Sequence, residues 1–191
     1  MEFFYRLLEL DRDWSYAMRV AEKPGLWRSL AMFFAHSGDS WFWGLGMIVL
    51  LGLGNEFWKQ WAVHQLFWIS ILAVLVLILK FSIRRKRPAG EWGAIYRNTD
   101  PHSFPSGHAA RSFLVAFLGS LLGPGWLAVI LWIWAPLVSL ARVAMGVHYV
   151  SDVVAGAVVG IVAASLGWQF SSLIFTQINQ ILVSITSLHL W

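Results

Sequence analysis

An all-α polytopic bundle of membrane helices, five or six in number and led by an amphipathic N-terminal helix, is the fold class this sequence predicts. Apolar residues fill 58% of its 191 positions and mean hydropathy is +0.63, well above the roughly 45–50% apolar share of a soluble domain. Charged residues are only 13%. Apolar stretches of crossing length recur along the chain, and many of its thirteen tryptophans read as interface belt and helix packing.

Residues 3–20 set Phe3, Phe4, Leu7, Leu8, Trp14, Ala17 and Met18 against Glu2, Arg6, Glu9, Arg12 and Asp13. That amphipathicity predicts a helix lying in the membrane interface. Pro24-Gly25 ends it, and Leu26 to Ala35 is apolar yet too short to cross alone. Trp41 to Gly54, extended to its polar edges Asp39 and Asn55, predicts a span. Glu56-Phe57-Trp58-Lys59-Gln60-Trp61 reads as an interfacial turn with an aromatic belt, and Ala62 to Leu79 as a membrane helix ending at Lys80. A polar loop follows from Phe81 to Pro105. His108 to Leu122 opens the next helix, Gly123-Pro124-Gly125 is a tight turn, and Trp126–Val143 and Val153–Phe170 are two more spans. The tail from Ser171 carries Ile174, Ile178, Ile181, Ile185 and Leu188 on one face and no charge, which predicts a last interfacial helix or an oligomer contact. No repeat or linker divides the chain, so a single domain over 1–191 is expected.

There is no cysteine, which excludes disulfides, thiolate catalysis and thiolate metal sites. The Met1-Glu2-Phe3-Phe4-Tyr5-Arg6 start lacks the basic-then-apolar pattern of a cleaved signal peptide. The net charge of +4 is gathered in the stretch from Lys80 to Arg87, between two apolar segments. Nucleic acid is therefore not the expected partner; an anionic substrate or lipid head group is.

Crossing direction gathers three distant groups at one membrane face. If Ala62–Leu79 exits there, the Phe81–Pro105 loop lies there, and the two following spans bring Gly146–Ser151 back to it. The groups are Lys80 with Arg87-Pro88, then Pro105-Ser106-Gly107-His108, then Arg142, His148 and Asp152.

These residue types suit phosphoryl transfer. Positioned cations stabilise charge on the equatorial oxygens of a phosphoryl group, arginine bidentately and lysine as a point charge. Ser106-Gly107 precedes a helix, whose first N–H groups and dipole favour an anion. His148 and Asp152 are four apart and would share a face if the segment is helical. Asp152 would then fix one ring nitrogen and leave the other to attack phosphorus. His108 remains to protonate the leaving oxygen and later to activate water.

The spacing Lys80-x6-Arg87-Pro88, the run Pro105-Ser106-Gly107-His108 and Arg142-x5-His148-x3-Asp152 resemble the type 2 phosphatidic acid phosphatase superfamily, whose site is shared with vanadium haloperoxidases. The resemblance implies phosphate binding by Lys80, Arg87, Ser106, Gly107 and Arg142. It implies a phosphohistidine at His148, an acid at His108, support from Asp152, and neither metal nor cofactor. The third motif usually begins Ser-Arg; here Ala141 precedes Arg142, so position 141 stays outside the expected site. Members of the six-helix type often carry a membrane helix ahead of the region matching Met1, which is why the expected count is five or six.

Arg84, Arg85 and Lys86 are expected to be a topology anchor or head-group contact. His36, His64, His102 and His189 are assigned to interface or loop, with a minor substrate role left open for His102. Zinc is the rival reading for His108 and His148, but the face offers only Glu91, Asp100 and Asp152 and no paired acids. A lipid carrier or channel would explain the cations, not the company His148 and Asp152 keep with Arg142. The expected substrate is a membrane lipid phosphomonoester or pyrophosphate: undecaprenyl pyrophosphate, phosphatidylglycerol phosphate, phosphatidic acid or lipid A phosphate. Hydrolysis and lipid-to-lipid phosphotransfer share a first half-reaction and stay open, as does the oligomeric state. The site side carries Lys80, Arg84, Arg85, Lys86, Arg87, Arg97, Arg111 and Arg142 against Lys59 opposite, which by the positive-inside rule points to the cytoplasm. Resemblance to bacterial members points to the outer, periplasmic face of the inner membrane, and that is the expectation adopted.

Overall fold

The computed structural model describes residues 2–90, 92 and 100–188, with the backbone alone for Phe4 and residues 172–188. Its helices are α1 (Glu2–Ala17), α2 (Leu26–Ser37), α3 (Ser40–Leu53), α4 (Glu56–Ile83), α5 (Gly107–Leu122), α6 (Gly125–Ala144) and α7 (Val150–Leu188). Among the described residues no strand forms, only an isolated antiparallel bridge between Lys86 and His102. By length and composition α4, α6 and residues 150–171 of α7 can each cross a membrane.

Two boundaries differ from expectation. Glu56 to Trp61 is not a turn but the start of α4, because the Asn55 side chain accepts the Trp58 N–H at 3.1 Å and Glu56 favours the helix start. The tail is not a separate element: no glycine or proline follows Gly167, and α7 runs unbroken to Leu188. The Ile174–Leu188 stripe lies outside the residues whose side chains are described. Glu91, Arg97 and His189 are likewise outside the description.

α2 and α3 together supply the length that neither has alone. Ala31 and Ala35 pack with Ala141 and Met145 near the end of α6. Ser37 Oγ then accepts the Trp134 indole N–H at 2.9 Å, and the Trp43 and Trp134 rings lie 4.9 Å apart. Met47 and Leu50 pack into a cluster with Trp58 and Trp61 of α4. The pair is broken once at Gly38-Asp39, with α2 packed along α6 and α3 packed chiefly against α4. A break deep in an apolar bundle must satisfy its own backbone. Arg111 donates to the Gly38 carbonyl, and the Trp43 indole donates to the Ser37 carbonyl at 3.0 Å. A Cβ at Gly38 would lie 2.7 Å from Val138 Cγ1 and 3.3 Å from His108 Cδ2, so the turn needs glycine to pack where it does.

α5 and α7 approach more closely still. A Cβ at Gly156 would sit 2.5 Å from the Ser106 carbonyl oxygen, and one at Gly160 would strike the Ala110 carbonyl. This Gly-x3-Gly face lets two backbones touch, as small residues do between membrane helices. The Ser106 N–H donates to the Asp152 carbonyl at 2.9 Å, which locks the start of α5 to the start of α7. Leu72, Leu114, Leu118, Leu131 and Ala164 fill the core beneath that junction.

α1 packs in the reverse of the usual amphipathic sense. Phe3, Leu7, Leu8 and Trp14 are exposed, while Ser15 is buried and Asp11 turns inward to polar partners.

Candidate active site

His148 stands in the loop before α7, where Gly146 turns the chain at φ 68°. It is 2% exposed, and its Nε2 lies 3.2 Å from Arg87 Nη1. Arg87 always carries its protons, so Nε2 must be the acceptor and the ring proton sits on Nδ1. That nitrogen faces Asp152 Oδ2 at 3.5 Å, beyond normal hydrogen-bond length. Burial first, then the charges of Arg87, Arg142 and Lys80, hold His148 well below its ordinary pKa. The ring is neutral, with an unprotonated Nε2 turned toward a cation.

The helical spacing expected for His148 and Asp152 is not what joins them. His148 precedes the helix, and Asp152 reaches back from its first turn. Asp152 Oδ2 accepts the Tyr149 N–H at 2.9 Å, and Oδ1 accepts from Arg85 Nη1 at 2.7 Å. Arg85 also bonds Ser151 Oγ at 2.6 Å and Asp11 Oδ2 at 2.7 Å, with its guanidinium 4.1 Å over the Tyr149 ring. Asp11 accepts the Ser151 N–H at 2.8 Å, and Ser15 Oγ accepts the Val150 N–H at 3.0 Å. The first amides of α7 are thus capped by α1. Arg85, expected as a topology anchor or head-group contact, bridges Asp11 and Asp152.

The cations line a second wall. Lys80 Nζ donates to Asp100 Oδ2 at 2.6 Å and to the His102 carbonyl at 2.9 Å. Arg87 Nη2 donates to the same Asp100 oxygen at 2.8 Å, and its Nε to the Asp100 carbonyl at 2.7 Å. Arg142 is 2% exposed and interacts electrostatically with Lys80, His108 and His148. Ser106 caps α5, its Oγ accepting the Ala109 N–H at 3.4 Å. The Gly107 and His108 amides, as the first in the helix, have no intrahelical acceptor.

His108 forms the third wall. Its Nε2 lies 2.9 Å from Asp39 Oδ1, and Asp39 Oδ2 lies 3.0 Å from His36 Nδ1. His36, assigned from sequence to interface or loop, has this partner. In front of His108 is a cavity of about 250 Å³ with Lys80, Asp100, Gly107 and Arg111 at its polar end and Leu72, Ala73, Val76 and Leu77 of α4 along its apolar side.

The structure brings Lys80, Arg87, Arg142, His148 and Asp152 into one cluster and sets Ser106, Gly107 and His108 beside it. Ala141, the departure from the motif, is buried at 4% exposure. Sequence reasoning missed Asp39, Asp100 and Asp11. Asp39 had a signal, a lone acid between two apolar stretches of which the first is too short to cross. Asp11 and Ser15 had a weaker one, two polar residues four apart on one face of a helix.

A set of buried cations at the mouth of a helical bundle, with two histidines and an apolar-sided cavity, defines a membrane enzyme of phosphate esters. The comparisons make that specific. The sequence profile of the PAP2 superfamily matches residues 61–175, and the chain belongs to that family of phosphatases. It is 31% identical over 198 residues to the probable lipid phosphate phosphatase beta of Arabidopsis thaliana, covering 88% of this chain and 92% of that protein. Its fold is similar to the crystal structure of Aquifex aeolicus LpxE, with a TM-score of 0.66, 28% identity, and 85% and 94% of the two chains covered. A second structure, the first transmembrane PAP2 type phosphatidylglycerolphosphate phosphatase from Bacillus subtilis, shares the fold at a TM-score of 0.64 and 23% identity, over 88% of each chain. With three helices of crossing length in a family that has such transmembrane members, the chain is an integral membrane hydrolase.

Proposed function

We propose that the chain removes phosphate from a membrane lipid by way of a phosphohistidine at His148, without a metal. The observation that carries this reading is the buried His148 ring, with Nε2 3.2 Å from Arg87 and the charges of Lys80 and Arg142 acting on it too. Nε2 attacks phosphorus, the bond to the lipid oxygen breaks, and His108 gives that oxygen a proton. Water then attacks phosphorus as His108 takes its proton, the phosphorus–nitrogen bond breaks to return the electron pair to Nε2, and inorganic phosphate leaves. Lys80, Arg87, Arg142 and the start of α5 hold the phosphoryl oxygens throughout. Asp152 keeps the ring proton on Nδ1.

The apolar α4 side of the cavity supports a lipid over a soluble ester, and so does the Arabidopsis relative, which is named for lipid phosphates. Five crossings fit the helix order if α2 and α3 count as one, with α1 lying in the interface on the site side. We place that side at the outer face of a bacterial inner membrane, and residues 1–191 as one domain.

The test is to trap labelled enzyme from a lipid phosphate in detergent with EDTA present. A phosphoenzyme labile to acid and stable to base is expected in the wild type and absent in His148→Ala, whose turnover should fall at least about 10⁴-fold. Activity lost in EDTA and restored by Mg²⁺ or Zn²⁺ would sink the metal-free mechanism. For orientation, Lys23→Cys in this cysteine-free chain should react with an impermeant maleimide on intact cells. Labelling only after lysis would reverse the assignment.

A further inference from the structure

His108 is the acid in the reading above, and this inference rests on that role. What holds its ring is Asp39, delivered from 69 residues upstream by the break between α2 and α3. Asp39 occupies the N-cap position of α3, where aspartate ordinarily accepts a backbone N–H. Here its side chain makes no such bond. Both oxygens go to histidines instead, Oδ1 to His108 and Oδ2 to His36.

The surroundings add a second reason. Arg142 and Arg111 are the cations that act on the His108 ring, and both oppose positive charge there. Asp39 is the carboxylate paired with it. The turn that carries Asp39 lies close to the ring, since a Cβ at Gly38 would sit 3.3 Å from His108 Cδ2, and Arg111, one turn along α5, ties down the Gly38 carbonyl and bonds Ser40 Oγ at 2.6 Å. An unbroken helix would satisfy its backbone without these devices. The break instead puts one acid behind one histidine.

We propose that Asp39 is the positioning residue of the general acid. It keeps the Nε2 proton of His108 in place through the whole cycle. Nδ1 is then the nitrogen that gives a proton to the leaving lipid oxygen and takes one back from water. Asp39 itself exchanges no proton. Its charge offsets that of the imidazolium which must exist before each protonation.

The leaving group separates this role from a structural one. An alkyl alcohol needs protonation as it leaves, and nitrophenol does not. Purified full-length enzyme in detergent would be assayed on a short-chain phosphatidic acid and on p-nitrophenyl phosphate. Asp39→Asn should lose about 100-fold in kcat/KM on the lipid and less than about fivefold on the nitrophenyl ester, within the range general acids supply. Asp39→Ser, which retains a good helix cap, should show the same split. His108→Asn is the reference. If it shows the split while both Asp39 variants lose equally on the two substrates or lose nothing, Asp39 is structural and the inference is overturned. If His108→Asn shows no split, the general-acid reading has failed and the inference falls with it. Should Asp39→Asn not fold, Asp39→Ser decides alone.

Discussion

His148 and His108 are held in opposite ways. His148 sits in a loop closed over by α1, α7 and the segment after α4, with its carboxylate at 3.5 Å and that carboxylate tied in turn to Arg85, Tyr149 and, through Arg85, Asp11. His108 sits in the first turn of a helix, with a cavity in front and one carboxylate behind at 2.9 Å. The difference follows from what each ring is proposed to do. A nucleophile has to present one nitrogen along one line, so its supports converge from several segments and its ring is out of water. An acid has to meet leaving groups and then water, so it faces space and needs one fixed point.

Mutations on the two sides test that contrast. On the crowded side Asp152→Asn should be the more damaging, with kcat down about 10³- to 10⁴-fold, since the amide can favour the wrong ring tautomer. A loss under tenfold would mean that Arg87 alone fixes His148. Arg85→Gln should cost less, about 10- to 100-fold in kcat with KM nearly unchanged, because it acts through Asp152. Arg84→Gln, whose side chain bonds the Phe81 carbonyl of its own helix, is the control and should be near wild type. Equal effects of the two would return Arg85 to a topology role.

Between the sides lies Asp100, and its removal should move activity the other way. Its carboxylate bonds both Lys80 and Arg87, the groups proposed for phosphate. Asp100→Asn should tighten vanadate inhibition several-fold while lowering thermal stability, since two buried cations lose their counter-charge. Weaker vanadate binding would make Asp100 a helper of substrate instead of a competitor.

The smallest signal concerns protonation. His148 is held well below its ordinary pKa, so its neutral form persists as pH falls through 6.5, the value of an unperturbed histidine. Nitrogen NMR of the substrate-free enzyme at pH 6 should show a neutral His148 ring with its proton on Nδ1. An imidazolium there would contradict the cation cluster.

The two sides also differ in how far the sequence discloses them. Arg142, His148 and Asp152 fall within eleven residues, so their spacing is visible in one glance along the chain. Their mutual geometry is not: the spacing suggests a helix, while Gly146 at φ 68° places His148 in a turn. The acid side has only Pro105 to His108 in one piece. Asp39 reads as the polar edge of a span, because its link to His108 is a tertiary contact and no periodicity encodes it. Arg85 hides for a similar reason, inside a basic run that a topology rule already explains. The helix ends show what else is lost: the belt of aromatics at Phe57, Trp58 and Trp61 masks the Asn55 cap that starts α4.

The tie between Asp11 and Ser151 spans 140 residues. A ribosome makes α1 well before α7, so Asp11 exists long before Ser151 does. Arg85 can pair with Asp11 earlier, but Asp152 joins them only after the start of α7 has been made. A nascent chain that has not yet made the start of α7 therefore lacks Asp152 and the amides that Asp11 and Ser15 cap, and the His148 side of the site closes only when α7 docks against α1.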